Sequence, residues 1–371
     1  FALSWTMIFT LPLMSAVQMI SARIGRVTGH GLAGNLVRHY PAWLANALVV
    51  LLLIANTINI GANLGAMADA TGMVTGLPSV GFLIAFAIFC ATAEVIIRYE
   101  AYARILKWLT LALLSYIVTL FMVHIPWAEA TRGLLMPRVE WDNETLLMVV
   151  AIFGTTISPY LFFWQASQEA EEVHSAPDES PLRCDPMEGR VELKRIGWDT
   201  FIGMAASNLV ALAIIFTTAA TLNANGVIDI RTSADAAEAL KPFAGDYAAL
   251  VFALGIVGTG LLAVPVLAGS AAYAVGEARR WPVGLDRKPR RAKAFYATIV
   301  AATGIGALMN FTPIDPIRAL VLAAVINGIV AVPVMAAMML VARRTKVMSV
   351  FTVGGPLLWL GWLATAVMAA A

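Results

Sequence analysis

Charge is scarce in this chain of 371 residues: 13% are Asp, Glu, Lys or Arg, against 60% hydrophobic residues and a mean hydropathy of +0.79. A soluble domain carries about a quarter charged residues, so that class is excluded and a polytopic membrane protein is expected. Cysteine is nearly absent. Cys90 lies in an apolar run and Cys184 in a charged loop, with no CxxC pair, so neither a disulfide framework nor a thiolate metal site is expected. The four histidines, His30, His39, His124 and His174, fall in or beside loops. No pair is expected to face another across helices, which argues against haem or zinc within the membrane. HExxH, a Ser/His/Asp set and paired carboxylates inside an apolar run are all missing, which leaves a membrane-embedded enzyme without its chemistry. The net charge of +2 says little about partners; no nucleic acid, obligate protein partner or bound cofactor is expected.

What is present is a series of long apolar runs. A window of about twenty residues gives ten spans, near residues 2–21, 43–71, 77–97, 105–125, 146–166, 200–222, 248–275, 295–311, 319–341 and 350–370, read as a single transmembrane domain (1–371). The basic residues gather in alternate loops. Arg23, Arg26 and Arg38 lie in the first, Arg98, Arg104 and Lys107 in the third, and Arg183, Arg190, Lys194 and Arg195 in the fifth. Seven, from Arg279 to Lys293, fill the seventh, and Arg343, Arg344 and Lys346 the ninth. The even loops hold only Arg132, Arg138, Arg231, Lys241 and Arg318. The positive-inside rule places the odd loops in the cytoplasm of a cell (inner or plasma) membrane protein. Both ends of the chain then face outside, and Phe1 opens directly into an apolar stretch, so an additional N-terminal helix is expected.

The fifth span contains a contradiction in its own sequence. Within the apolar run from Leu146 to Trp164 stands Thr155-Thr156-Ile157-Ser158-Pro159-Tyr160. Pro159 has no backbone N–H, so the Thr155 carbonyl loses its helical donor, and Ser158 is steered from α geometry. Lipid cannot satisfy such groups; non-helical backbone at that depth belongs inside protein or beside a polar cavity, as in the interrupted helices of secondary transporters. Thr155, Thr156, Ile157, Ser158 and Tyr160 therefore form the candidate metal site, with Gln165 as pathway polarity. An all-oxygen set suits hard divalent ions, and neutral oxygens alone favour an ion that keeps much of its water. Pro12, Pro265 and Pro333 lack the surrounding polar cluster and read as packed kinks.

Elsewhere in the spans, Asn56, Asn59 and Asn63 lie at i, i+3 and i+7 beside Gly61 and Gly65, on one helix face. That face either glues helices together or lines an aqueous route. It has no titratable group to relay a proton. Glu94 precedes Arg98 by one turn and reads as an interfacial ion pair. Asp69 reads as a solvated residue at the outer mouth. The acidic run after the broken helix, with Glu169, Glu171, Glu172 and Glu192 among others, reads as a solvated charge run or a cation-attracting vestibule.

Several phrases carry a family resemblance over nearly the whole chain. Ser21-Ala22-Arg23-Ile24-Gly25-Arg26-Val27-Thr28-Gly29 resembles the loop after the second helix of the NRAMP divalent-metal transporters, and Phe153-Gly154-Thr155-Thr156-Ile157-Ser158-Pro159-Tyr160 their sixth-helix signature. Asp199-Thr200 and Arg343-Arg344-Thr345-Lys346-Val347-Met348 are similar too. The resemblance implies a LeuT-like five-plus-five inverted repeat with interrupted helices, ten spans visible and eleven expected, and a divalent ion as substrate. The departures matter as well. Where the family has Met-Pro-His this chain has Ser158-Pro159-Tyr160, and the family's third-helix carboxylates align with Asn63 and Ala66. This resembles the NRAMP-related magnesium transporter branch: Mg²⁺, with Mn²⁺ second, moved by alternating access without proton coupling. The family's first-helix Asp-Pro-Gly break has no match, since Asp185-Pro186 and Asp315-Pro316 lie in loops. A proton-coupled Mn²⁺/Fe²⁺ transporter and an amino-acid carrier on the same fold are the alternatives.

Overall fold

A computed structural model describes residues 1–97, 104, 108, 114–136, 142–175, 180–184, 189–223, 226, 230, 233–241, 245–312 and 315–370. The described residues are helical throughout, with no strand. The helices are α1 (Trp5–Thr28), α2 (Leu32–His39), α3 (Ala42–Thr75), α4 (Ser79–Ile96), α5 (Leu114–Met122), α6 (Trp127–Leu135), α7 (Asn143–Thr156) and α8 (Pro159–Ser175). They continue with α9 (Gly189–Thr221), α10 (Ser233–Ala237), α11 (Ala248–Ala278), α12 (Lys293–Met309), α13 (Pro316–Arg343), α14 (Thr345–Met348) and α15 (Gly355–Ala370).

Local chemistry sets the ends of these helices. Asp142 caps α7 by accepting the Thr145 N–H at 2.8 Å. Gly29, at φ 64°, closes α1 in the left-handed conformation that glycine adopts without strain, its N–H reaching the Gly25 carbonyl at 2.9 Å. Pro12, Pro265 and Pro333 all lie inside continuous helices. Pro159 differs, opening α8 directly after two non-helical residues.

α3 lies centrally, packed on α11, α13, α12 and α4, while α1 packs on α8, α9 and α15. Four apolar clusters form among the described residues, two of them large. One large core joins α1, α2, the first half of α3, α7, α8, α13 and α15 through residues such as Ile20, Leu52, Phe153, Phe162 and Met338; the other joins the second half of α3 to α4, α11 and α12 through Leu64, Leu267 and Phe295, with Trp164 of α8. Outward faces are apolar as well, for example Ile84 and Ile88 one turn apart on α4, as lipid contact requires.

Arg344 donates to the His39 carbonyl at 2.7 Å and stacks on Tyr40, and His30 stacks on His174 with ring centroids 6.3 Å apart, so the first, fifth and ninth loops meet. Asp69, in the last part of α3, accepts the Ser233 N–H and so ties α3 to the start of α10, in addition to meeting solvent.

Candidate metal site at the helix break

α7 ends at Thr156 and α8 begins at Pro159, leaving Ile157 (φ −111°, ψ 62°) and Ser158 outside helical geometry. The Ile157 N–H still reaches the Phe153 carbonyl at 2.7 Å, and the Leu161 N–H goes to the Ser158 carbonyl at 3.2 Å. Among the turn and side-chain hydrogen bonds of the described residues, none ends on the carbonyl of Thr156 or of Ile157. The Thr155 carbonyl, deprived of its donor by Pro159, is met by the Ser158 hydroxyl at 3.0 Å, which also approaches the Gly154 carbonyl at 2.5 Å. Thr156 returns its hydroxyl to the Ile152 carbonyl at 2.9 Å. Both hydroxyls thus stabilise the break by donating backwards, and their oxygens keep acceptor capacity.

Packing fixes where the break sits. One turn before it, a side chain on Gly154 would collide with the Ala324 carbonyl of α13, so two backbones touch there. Ile157 and Ser158 are buried and Thr155 is exposed. Tyr160 packs against both large cores, so the break stands where the two cores meet.

A polar line descends α8 from the break. Gln18 of α1 donates to the Leu161 carbonyl at 3.2 Å and to Gln165 at 3.4 Å, and Gln165 donates to Glu169 at 3.2 Å. Leu161, Gln165 and Glu169 share one face at four-residue spacing. Gln18 was visible in the sequence as a lone amide in the first apolar span, but nothing there indicated its partner. The asparagine face divides: Asn56 is fully buried and donates to α11, at 2.9 Å to the Leu267 carbonyl and 2.6 Å to Ser270. Asn59 and Asn63 are half-buried and bonded to each other.

His30, in the bend after α1, stacks on His174 near the end of α8, so one pair of histidines meets at the helix ends and not across two helices. Among the described residues, though, no group of three or more His, Cys, Asp or Glu is placed to hold a metal. Part of the acidic run is not merely solvated: α8 carries its first members on helix to Ser175, and Glu169, Glu172 and Glu192 pair with Arg26 and Arg195. Asp178, Glu179, Asp185, Glu188 and Arg98, the expected partner of Glu94, lie outside the described residues. Among the described residues, neither carboxylate oxygen of Glu94, both of them buried, has a hydrogen-bond partner.

The sequence profile described as natural resistance-associated macrophage protein-like matches residues 1–371. Over 272 residues, 70% of this chain, 24% are identical to the divalent metal cation transporter MntH of Yersinia pestis. The match spans 61% of that relative's length. The MntH of Verminephrobacter eiseniae is 27% identical over 359 residues, covering 95% of this chain and 76% of the relative. Among solved structures, the manganese transporter of Eremococcus coleocola superposes with a TM-score of 0.73 at 15% identity, over 99% of this chain and 78% of that one. The inward-facing Mhp1 superposes at 0.55 and 13% identity, over 98% and 82%. The fold is therefore the all-helical, LeuT-like inverted repeat of interrupted helices. This multi-pass membrane protein belongs to the Nramp family.

Proposed function

We propose that the protein carries divalent metal cations across the membrane by alternating access, with Mg²⁺ preferred over Mn²⁺ and without proton coupling. The observation that carries this reading is the pair of backbone carbonyls, Thr156 and Ile157, that no turn or side-chain donor among the described residues reaches, beside Tyr160 where the two large cores meet. Together with the oxygens of Thr155 and Ser158 they offer only neutral, hard ligands. Mg²⁺ is a hard ion that sheds water reluctantly, so such a set suits it while it keeps part of its hydration shell. A softer Mn²⁺ or Fe²⁺ site would gain from a thioether or imidazole, and neither occurs at the break. Tyr160 and Gln165 supply polarity beside the ion, and Asn59 and Asn63 face the pathway without a proton to exchange. Alternating access follows from the break's position: α8 moves with one helix group or the other, and the ion sits at their seam.

Proton-coupled Mn²⁺ transport is the second reading, supported by the names of the relatives. Uptake by the full-length protein in proteoliposomes separates the two. Mg²⁺ influx with no acidification of the lumen is expected. Absence of any divalent influx, or Mn²⁺ uptake that acidifies the lumen while Mg²⁺ is refused, would overturn the proposal.

A further inference from the structure

Arginines from three loops converge at the basic end of the molecule without acidic partners. Arg38 lies in the last turn of α2, Arg183 in the segment 180–184, and Arg280 just past α11. All are exposed, and none forms an ion pair among the described residues. The carboxylate nearest them, Glu277, is already occupied. It accepts the N–H groups of Gly31 at 3.1 Å and Gly34 at 2.8 Å, which caps α2, and the Ser167 hydroxyl of α8 at 3.2 Å. The cations act on one another. Burial and then Arg183 lower the Arg38 pKa, with Arg280 adding to this and Glu277 opposing it. Burial first, then Arg38, Arg183 and His174, lower His30 to about 4. Such a mouth is short of an anion.

Arg280 stands there against its backbone preference. Its φ is 58°, in the left-handed region, while the Trp281 N–H closes the helix end on the Gly276 carbonyl at 2.8 Å. Glycine is the usual residue at that position of this cap; arginine tolerates the conformation and places a guanidinium on the cavity. The next residue, Trp281, joins two spaces of opposite character. On one side is a cavity of about 250 Å³ lined by Arg38, Arg280, His30 and Glu277. On the other is an apolar groove of about 370 Å³ between α3, α11 and α12, lined by Leu53, Val275, Ala301 and Ile305. The groove follows α12 from Ala294 to Ile305, about 16 Å along the helix axis. A basic pocket that continues into an apolar trench fits one chemistry, an amphipathic anion.

We propose that this is a binding site for an anionic phospholipid of the cytoplasmic leaflet. Arg38 and Arg280 hold the phosphate-bearing headgroup with Arg183 at the rim, and one acyl chain lies in the groove against Trp281. Glu277 connects the site to Ser167, so the headgroup sits one side chain away from the lower half of the broken helix.

The test is native mass spectrometry of the full-length protein purified in detergent, with phosphatidylglycerol, phosphatidylcholine or inorganic phosphate added. Phosphatidylglycerol is retained and phosphatidylcholine is not. The Arg38→Gln/Arg280→Gln variant loses at least about tenfold in retention, whereas Arg290→Gln/Lys293→Gln, which removes equal charge at the same end of the molecule outside the cavity, changes it by less than about twofold. Arg280→Gly relieves the backbone, so it unfolds no earlier than the parent yet retains less lipid. Equal retention by the double variant overturns the proposal, as does equal loss in the control pair, which would mean diffuse loop charge. Displacement of the lipid by millimolar inorganic phosphate also overturns it, since that would identify a small-anion site.

Discussion

Ser158 closes the break with its own hydroxyl, which donates to the Gly154 carbonyl and to the Thr155 carbonyl that Pro159 leaves without a donor. In the proposed site the same oxygen would offer a hard ligand. Pro159 made the break legible from sequence, because a missing N–H is a property of the residue itself. The return bonds of Ser158 and Thr156 were one of two outcomes the sequence left open, since hydroxyls at such positions donate backwards or outwards according to the space around them. The asparagine face shows the same limit: the spacing of Asn56, Asn59 and Asn63 placed them together, but only the presence of α11 draws Asn56 into packing. Gly154 offers a test at this scale. A methyl group there would meet the Ala324 carbonyl, so Gly154→Ala should destabilise the protein by about 1–3 kcal/mol, read as earlier thermal unfolding in detergent. An unchanged transition would mean that α7 and α13 are not in backbone contact.

α8 is the element on which the account turns, and its two ends are held differently. At the top it starts at a proline with no preceding helical residue. At the bottom, Glu169 and Glu172 join Arg26 of α1 and Arg195 and Glu192 of α9 in one ion network, with Arg26 to Glu192 at 3.1 Å. Arg26 is almost wholly buried and Glu192 mostly so, at 5% and 18% side-chain exposure, which places this pair above the weak surface class. A double-mutant cycle of Arg26→Gln and Glu192→Gln should give a coupling of about 1–3 kcal/mol in thermal unfolding. Additive effects would show that α1 and α9 are not linked there. In the sequence these charges read as a solvated run because Arg26, which draws them into the interior, lies more than a hundred residues from Glu172 and Glu192 and meets them only after the helices pack. Hydropathy found the long helices, whereas the points where helices lock together depend on pairings that periodicity does not encode.

At the scale of the whole molecule, two large apolar cores meet at a broken helix, and three of the basic loops, the first, fifth and ninth, come together. The distribution of basic residues was readable along the chain, and the seam between the cores was not, because it is a property of tertiary packing. An ion held at that seam by oxygen alone is the central claim, and changing one ligand atom tests it most directly. Ser158→Cys is nearly isosteric and exchanges the hard oxygen for soft sulfur. In proteoliposomes containing the full-length protein, this variant should lower Mg²⁺ uptake by about tenfold, the loss of one oxygen contact to a charged ion, and should raise Cd²⁺ uptake. Mg²⁺ uptake equal to that of the parent, with no gain for Cd²⁺, would contradict the account.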